Sequence, residues 1–265
     1  MASRAAIRGF GYKKLMERRE YEQMAALEGR LWWYRGLHAL IADMASKDVR
    51  KDMGPLLDAG CGTGGLLAAL QRMDADRSCQ LGVEYDATAA AVAAAKSGAA
   101  VVVGSVMSLP FGNATLAAMV SADVLSHRLV EPSSALDEAY RCLKSGGILI
   151  LNLPAYSWML SAHDRRVHGV RRFTRRQAIW LVQAAGFRLR RATYWNCILF
   201  PLMVARRMLT RWSEGDSDVR PFPAVVDRLF GAIIGIERRL IGWGLALPFG
   251  GSILLVACKE DAKTT

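Results

Sequence analysis

The segment from Leu56 to Gly65, LLDAGCGTGG, constrains the fold more than any other part of the sequence. A short apolar run passes directly into a turn that contains three glycines: Gly60, Gly62 and Gly64. Glycine lets the backbone bend there, and it lets a ligand approach where a side chain would collide. The helix predicted after the turn offers unpaired N–H groups to a carboxylate or phosphate. The pattern predicts a ligand-binding strand, loop and helix, with Asp58 and Cys61 beside the glycines.

A second predicted strand ends in Glu84, within LGVEYD, twenty residues after Gly64. A carboxylate at this place can accept hydrogen bonds from ribose hydroxyl groups. A glycine loop alone is a weak indication, whereas strand, loop, helix, second strand and acid in this order indicate a ribose-containing cofactor. Tyr85 follows the acid and is predicted to belong to the same site.

From Gly54 onward, short apolar runs alternate with Ala-rich or amphipathic segments, which is the pattern of βαβ units and a parallel sheet. Strands are predicted at residues 55–59, 80–84, 99–103, 116–121, 147–153, 187–194 and 252–258. The predicted fold class is α/β, with a doubly wound, mostly parallel seven-stranded sheet. Nearly sixty residues separate the last two strands, and a connection of that length predicts a helical insertion.

The predicted organisation has four parts: an N-terminal helical cap (1–50), a cofactor-binding core (51–195), a helical insertion that faces substrate or membrane (196–250), and the last strand with its tail (251–265). Thr174 and Gln177 have the spacing of a capping box at a helix start. Pro132 suits the first turn of another helix, and Gly146 is expected to stop that helix in a left-handed conformation.

These motifs together resemble those of the class I S-adenosylmethionine (SAM)-dependent methyltransferases, in the small-molecule branch called type 11 or UbiE-like. The loop is D-x-G-x-G-x-G and not the dinucleotide pattern G-x-G-x-x-G, which favours SAM over NAD as the cofactor. The resemblance covers about residues 54–195 and implies a Rossmann-like methyltransferase sheet. It also implies that Asp58, Gly60 and Gly62 line the methionine end of the cofactor and that Glu84 holds its ribose.

Further matches follow in the order typical of the family. Ser105 and Val106 come after the third strand, and Asp123 opens a D-V-L-S-H segment after the fourth. The resemblance places these three residues at the cofactor. The sequence departs from the family at Ser105, where an Asp usually contacts the adenine amino group, and at Ser126, where a Glu is usual. The serine hydroxyl or a backbone carbonyl would have to replace the first acid.

The segment after the fifth strand, with P-A-Y at 154–156, H-D at 163–164, His168 and R-R-F-T at 171–174, is similar to a signature of some bacterial methyltransferases. Members usually have P-A-Y, H-D, G-H and R-R-Y-T, so Phe173 replaces the Tyr here. Loops at the carboxyl edge of such a sheet bind substrates, and a neutral imidazole near an acceptor hydroxyl or amine is a candidate general base. The predicted catalytic residues are His163, His127 and Asp164. The predicted substrate-binding residues are Trp33, Tyr34, His127, Tyr156, His168 and Arg172. An ordinary structural role remains the alternative for each histidine and aromatic residue.

The chain has 35 Lys and Arg against 24 Asp and Glu, so its formal net charge is +11. Residues 161–191 hold nine arginines and one acid, Asp164, and thus most of the excess. Such a segment can bind phosphate on a membrane, phosphate on a nucleic acid or an anionic small substrate, or it can be a solvated helix face. The Asn/Asp-Pro-Pro-aromatic loop of DNA amino-methylating enzymes is replaced here by Ser121 to Val124, which argues against nucleic acid.

Two apolar stretches, 195–205 and 229–250, are candidates for membrane contact. The first has about half of the ~20 apolar residues that a spanning helix needs, and charged residues interrupt the second. The first stretch suits an amphipathic helix at a bilayer surface, and core packing explains it equally well. The start of the chain lacks an apolar run of signal-peptide length, so a cytoplasmic location with peripheral membrane contact is expected. The five scattered cysteines lack metal-ligand spacing, and no metal is expected.

The predicted function is the transfer of a methyl group from SAM to a small, hydrophobic or lipid-like acceptor, at oxygen, nitrogen or carbon, by direct displacement. Because the sulfonium is already activated, the protein mainly has to align the acceptor with the methyl group and exclude water. Two alternatives stay open at this point. One is a non-catalytic binding protein on the same fold, and the other is an NAD-dependent oxidoreductase.

Overall fold

The computed structural model describes residues 25, 27–73, 79–161, 164, 168–210 and 222–260. Seven strands form one sheet: β1 Leu56–Ala59, β2 Gln80–Glu84, β3 Ala100–Val103, β4 Leu116–Ala122, β5 Leu143–Pro154, β6 Arg188–Trp195 and β7 Ser252–Cys258. Seven α-helices accompany them in the described ranges: α1 Trp32–Asp48, α2 Gly65–Met73, α3 Ala87–Ser97, α4 Pro132–Cys142, α5 Arg175–Ala184, α6 Phe200–Thr210 and α7 Ala224–Gly242.

The strands lie in the order β3-β2-β1-β4-β5-β7-β6, and β7 is antiparallel to both of its neighbours. The chain order reverses between β1 and β4, so the carboxyl ends of these two strands leave a crevice between their following loops. The predicted fold class is confirmed, including the helical insertion, since α6 and α7 lie between β6 and β7. The division of the chain into four parts stays a prediction.

The core is a layer of aliphatic side chains on both faces of the central strands. All residues of β1 and β7 are buried, as are six of the seven residues of β4. Strands that are covered by helices on both faces need continuous apolar runs and not an alternating pattern. That is why runs such as Leu149 to Leu151 and Ile253 to Val256 were recognisable in the sequence.

The helix ends agree with the predicted capping, first-turn and stop residues, with one exception. Thr174 and Gln177 form both hydrogen bonds of a capping box at the start of α5. Pro132 is the first residue of α4. The predicted role of Gly146 is wrong: α4 ends at Cys142, and Gly146 lies inside β5 with φ 75°. The chain turns directly into β5 at Leu143, and the Gly146 N–H donates to the carbonyl of Lys259 (2.7 Å) across the end of β7.

Helix α1 and the inserted helix α7 pack against each other. The ring of Trp32 meets that of Phe230 edge to face, with 5.4 Å between centroids. The backbone N–H of Trp32 donates to Asp227 Oδ1 (2.9 Å), and Arg35 Nη2 lies 2.7 Å from the other oxygen of Asp227. A side chain at Gly36 would overlap Ile234, so the two backbones approach closely at that point. Helices α1 and α7 therefore form one layer over the sheet edge, which we call the α1–α7 roof.

Among the helices of the described ranges, none has both the length and the hydropathy that a bilayer crossing requires.

We predict that Thr174→Ala lowers the free energy of unfolding by about 1 kcal/mol, because the variant loses the acceptor of the Gln177 N–H at the start of α5. Urea denaturation followed by circular dichroism measures this change. Thr174→Ser keeps the hydroxyl group and should stay within about 0.5 kcal/mol of the wild type. Equal losses in the two variants would show that packing of the methyl group, and not capping, stabilises this helix.

Candidate cofactor and acceptor site

A cavity of about 960 Å³ opens at the carboxyl ends of β1, β2 and β4, beneath α1 and α6. Most of the predicted site residues line it: Trp33, Tyr34, Asp58, Gly60, Cys61, Gly62, Glu84, Tyr85, Ser105, Val106, Asp123, His127, Asp164, His168 and Arg172. Two predicted residues, Gly64 and Tyr156, are not on its wall. His163 lies outside the described residues. The topology thus brings together residues that are up to 139 positions apart in the sequence, from Trp33 to Arg172.

The three glycines of the loop have different roles. The N–H groups of Gly60 and Cys61 both donate to the carbonyl of Val83 (2.8 and 3.0 Å), which fixes the loop across the end of β2. A Cβ at Gly60 would overlap the side chain of Val124, and one at Gly64 would lie 2.7 Å from Ala93 Cα. Gly62 has φ 55° and open space where a Cβ would point. Packing therefore requires Gly60 and Gly64, whereas Gly62 faces the cavity.

Glu84 clamps the loop and also borders the cavity. Its Oε2 accepts the Gly62 N–H (2.9 Å), and its Oε1 accepts the Asp86 N–H (3.0 Å). Burial raises the pKa of this carboxyl group above its usual value, and the two N–H groups oppose that rise. Each oxygen has a second lone pair, so the group can still accept a hydroxyl hydrogen from a ligand. This geometry suits the ribose-binding role implied by the resemblance.

The carboxyl group of Asp58 is incompletely hydrogen-bonded. Its side chain is buried at the end of β1, and its Oδ2 has no hydrogen-bond partner among the described residues. Burial and the nearby Glu84 carboxylate raise the pKa of Asp58 to about 8. A buried carboxyl oxygen without a partner is costly in the ionised form unless a cation or donor meets it. The ammonium group of SAM is such a partner, so the residues present fit this cofactor.

Glu28 is a site residue that the sequence did not suggest. It is buried over the loop, accepts the Gly65 N–H at the start of α2, and pairs with Lys96 (3.3 Å). Burial raises the pKa of the Glu28 carboxyl group. The residue precedes the aromatic run at the start of α1 and belongs to no recognisable motif. Only the packing of the cap onto the loop brings it to the cavity.

Asp123 follows β4 in a left-handed conformation (φ 61°). Asn152 Nδ2 donates to its Oδ1 (2.9 Å), and Trp195 Nε1 donates to the amide oxygen of Asn152 (2.7 Å). Burial raises the pKa of Asp123 to about 7, although the Arg172 guanidinium opposes the rise. Asn152 was not among the predicted site residues, although a lone polar residue at the end of an apolar strand is a detectable signal. The result is a carboxyl group held firmly at the cavity wall.

The imidazole of His127 on the cavity wall has a defined hydrogen bond and a lowered pKa. His127 Nδ1 accepts the Leu129 N–H (3.2 Å), so the neutral ring carries its proton on Nε2. Burial and neighbouring positive charges lower the pKa of His127 to about 4. His168 packs edge to face on His127, with 5.6 Å between the ring centroids. His127 is therefore arranged to donate a hydrogen bond rather than to accept a proton.

The carboxylate of Asp164 forms an ion pair with Arg172. Arg172 Nη2 lies 2.8 Å from its Oδ1, and both side chains are largely buried. The N–H and hydroxyl groups of Ser161 donate to Asp164 Oδ2 (2.6 and 2.8 Å). Although burial opposes it, contact with Arg172 and Ser161 holds the pKa of this carboxyl group below its usual value. Asp164 thus fixes the position of Arg172.

The aromatic residues divide into two groups. Trp33 stacks on Trp195 (5.8 Å between centroids), and Trp33 and Tyr34 line the cavity from α1. Tyr156 stacks instead between Tyr194 (5.4 Å) and Trp158 (5.7 Å), away from the cavity wall. The structure therefore does not support the predicted substrate contact of Tyr156, because the chain turns at this residue (φ 60°) and its ring packs on β6.

The reversed last strand, the glycine turn and the acid at the end of β2 together define a class I SAM-dependent methyltransferase fold with its cofactor site. Residues 57–151 match the protein family described as "Methyltransferase domain". These residues form a methyltransferase domain, and SAM-dependent methyltransferases are among the solved structures that share the fold, so the predicted family, enzyme class and cofactor are confirmed. A search among curated protein sequences found no match to the chain.

Solved structures share the fold. A methyltransferase solved in complex with the Haloferax volcanii Trm112 methyltransferase activator is 19% identical, with coverage of 91% of this chain and 98% of that chain and a TM-score of 0.57. Geranyl diphosphate C-methyltransferase from Streptomyces coelicolor A3(2), in complex with Mg²⁺, geranyl diphosphate and S-adenosylhomocysteine (SAH), is 16% identical (83% and 78% covered, TM-score 0.55). The [4+2]-cyclase SpnF is 25% identical (88% and 85% covered, TM-score 0.56).

We predict that Asp58→Asn raises the free energy of unfolding of the ligand-free protein by about 1–3 kcal/mol at pH 8, and that this gain shrinks toward pH 5. A carboxyl group whose pKa is raised on folding binds more protons in the folded state. The free energy of unfolding of the wild type therefore decreases as the pH rises toward 8. The side-chain amide of Asp58→Asn does not ionise, so the variant does not show this decrease. The same variant should bind SAM at least about tenfold more weakly, because it lacks the carboxylate that would meet the ammonium group.

Denaturant titrations at several pH values and calorimetric titration with SAM measure the two effects. Asp137→Asn on the exposed face of α4 is the matched control and should change neither quantity. A stability gain for Asp58→Asn that is constant from pH 5 to pH 8 would contradict the assignment of a raised pKa.

Proposed function

We propose that the chain transfers a methyl group from SAM to a small, apolar acceptor that binds between α1, α6 and the start of α7. The observation that carries this proposal is a single cavity that joins Asp58 and Glu84 to a wall of apolar side chains. That wall is formed by Trp33, Leu199, Leu202, Met203, Phe222 and Phe230. The geranyl diphosphate methyltransferase, a structural neighbour whose ligand has an apolar chain, supports an acceptor of this kind.

The cofactor end of the cavity is acidic, with Glu28, Asp58 and Glu84 on its wall. SAM has a sulfonium and an ammonium group, and carboxylates in a partly buried site stabilise such cations. When bound, SAM supplies an activated methyl group. The protein then has to hold the acceptor in line with that group and exclude water, and the α1–α7 roof serves this purpose.

An acceptor hydroxyl or amine loses a proton when it is methylated, and Asp123 is placed to take that proton. Asn152 holds one of its oxygens, the residue lines the cavity, and a pKa near 7 suits a base at neutral pH. In this proposal His127 donates a hydrogen bond through Nε2, and Asp164 is a positioning residue for Arg172. The catalytic role of His163 stays a prediction.

A protein that binds SAM without transferring its methyl group is the second candidate. The structural neighbour named as a [4+2]-cyclase supports it, because a different reaction is attributed to a protein with this fold. Both proposed functions use the same cofactor site, and they differ in whether a methyl group is transferred to an acceptor.

We predict that SAM and SAH bind the purified protein with micromolar dissociation constants in calorimetric titrations, whereas NAD does not bind. Gly62→Ala should weaken SAM binding about tenfold, because the added methyl group points into the cavity. Gly98→Ala is a matched control, since Gly98 also has a positive φ and open space at its Cβ but lies at the end of α3, away from the cavity.

Both glycine variants should lose a similar amount of stability, about 1–2 kcal/mol. Equal SAM affinity in the two variants would contradict the placement of the cofactor at Gly62. Transfer of labelled methyl groups from SAM to 2-naphthol, octylamine or octyl phosphate would separate a methyltransferase from a protein that only binds the cofactor.

We also propose peripheral contact with an anionic membrane through α7. Its exposed face carries the apolar side chains of Val225, Leu229 and Ile236, which recur at helical spacing, with Arg228 and Arg239 beside them. A helix with an exposed apolar stripe and flanking arginines suits a bilayer surface with negative headgroups. Trp243 continues the face beyond the helix end, with 81% of its surface exposed.

We predict that the protein co-sediments with phosphatidylglycerol vesicles and much less with phosphatidylcholine vesicles. The double variant Leu229→Glu/Ile236→Glu should bind about tenfold less, because it places two negative charges on the contact face. Trp180→Glu, a comparable change on the exposed face of α5, serves as the control and should bind like the wild type. Equal binding by all three proteins would refute contact through α7.

A further inference from the structure

Glu28 occupies the start of helix α2, directly after the glycine turn. Its carboxyl group accepts the N–H of Gly65, the first residue of α2. The contact is close, because a Cβ at Gly65 would overlap Glu28 Oε2 and would lie 2.9 Å from His38 Cε1. Glu28 and His38 both line the cavity, and Glu28 is only 5% exposed. A side chain of the protein itself therefore fills the polar end of this helix.

In dinucleotide-binding α/β proteins, a phosphate takes this place. The diphosphate of NAD binds at the start of the helix that follows the glycine turn, because backbone N–H groups and the helix dipole favour an anion there. In this chain the Glu28 carboxyl group already accepts the N–H of Gly65. An incoming diphosphate would have to displace Glu28 or lie beside it.

Lys96 helps to keep Glu28 ionised. Its Nζ lies 3.3 Å from Glu28 Oε1 and 3.3 Å from the carbonyl oxygen of Ala25. Burial raises the pKa of the Glu28 carboxyl group, and Lys96 and the Gly65 N–H oppose that rise. Glu28 lines the cavity and Lys96 does not, so a ligand meets the carboxylate of this ion pair first.

Asp58 and Glu84 add their carboxyl groups to the same part of the cavity wall. Asp58 interacts electrostatically with Glu84 and with Glu28. Burial raises the pKa of the Cys61 thiol in the glycine turn, and the charges of these three carboxyl groups raise it further. Asp58 Oδ2 has no hydrogen-bond partner among the described residues. It needs a donor or a cation, and an ionised phosphate supplies neither.

His38 supplies no positive charge that could offset these carboxylates. Burial lowers the pKa of its imidazole to about 4, and the charges of Arg72 and Lys96 contribute to that decrease. The ring is therefore uncharged at neutral pH. Arg72 itself is exposed in the last turn of α2 and does not line the cavity. The cavity wall at the start of α2 is consequently acidic.

We infer that Glu28 selects the cofactor by charge: it favours a cationic group at the 5′ carbon of adenosine and disfavours a phosphate there. SAM has a sulfonium group at this carbon, whereas NAD, ADP and AMP have a phosphate. The inference rests on the proposed function, because it requires SAM to bind beside Asp58 and Glu84. It assigns the discrimination between SAM and a nucleotide phosphate to a residue outside the glycine turn.

Displacement of SAH in calorimetric titrations at neutral pH measures the affinities for SAM, adenosine and AMP. Adenosine has no charge at the 5′ carbon, so it is the reference for the phosphate. The wild type should bind AMP at least about tenfold more weakly than adenosine, since the phosphate meets the Glu28 carboxylate. Raising the salt concentration should narrow this difference by screening the repulsion.

Glu28→Gln should raise the ratio of AMP affinity to adenosine affinity about tenfold, because it removes the negative charge. It should also lower the ratio of SAM affinity to SAH affinity, since only SAM has the sulfonium charge. The amide oxygen of glutamine can still accept the Gly65 N–H, so the variant should fold. Glu28→Asp keeps the charge and should keep the affinity ratios of the wild type.

Glu138→Gln is the matched control. Glu138 also accepts a backbone N–H, that of Leu109 (2.7 Å), and pairs with a cation, Arg141 (2.7 Å), but it does not line the cavity. This variant should therefore have the affinity ratios of the wild type.

Three results would overturn the inference while SAH still binds: equal affinities of the wild type for AMP and adenosine, affinity ratios that Glu28→Gln leaves unchanged, or an equal change of the ratios in Glu28→Asp or Glu138→Gln. The first result needs no variant, so the inference stays testable if Glu28→Gln does not fold. If SAH does not bind to the folded wild type, the proposed function fails and the inference fails with it. The SAH titration therefore separates the two failures.

Discussion

The attachment of the glycine turn to the end of β2 is the interaction on which the site depends. The carbonyl of Val83 accepts two N–H groups of the turn, and Glu84 accepts the Gly62 N–H and that of Asp86. The three bonds from Gly60, Cys61 and Gly62 fix the turn across the ends of two neighbouring strands, and the bond from Asp86 holds the Glu84 carboxylate in place. Gly62 then faces open space, and one oxygen of Asp58 has no hydrogen-bond partner among the described residues. Because backbone groups make most of this clamp, the cavity has its shape before a ligand arrives.

The roof of the cavity comes from two segments that are far apart in the sequence. Helix α1 precedes the first strand, and α7 lies in the insertion before the last, yet Trp32 and Asp227 join them directly. The packing of α1 also brings Glu28 over the start of α2. A change in either helix should therefore affect both the cofactor end and the apolar wall. Under the proposed function, this coupling lets one cavity enclose a polar cofactor and an apolar acceptor.

The cavity is polarised along its length. Carboxyl groups line the cofactor end, and arginines line the part of the cavity formed by α6 and Arg172. Asp123 also lines the cavity, and the Arg172 guanidinium interacts electrostatically with its carboxyl group. Opposite charges in a partly buried space orient a bound molecule more strongly than the same charges in water. Under the proposed function, this arrangement contributes to the orientation of the acceptor together with the shape of the cavity.

The sequence by itself determined the strands, the glycine turn and the acids that follow it, because those features depend on neighbouring residues. Buried strands need apolar runs, the turn needs glycine, and the capping box of α5 needs Thr174 and Gln177 three residues apart. Only the tertiary structure decided which side chains meet. It turned Tyr156 away from the cavity, engaged Asp164 with Arg172, placed Gly146 in a strand and brought in Glu28 and Asn152. Contacts between distant segments depend on packing, and local periodicity does not specify them.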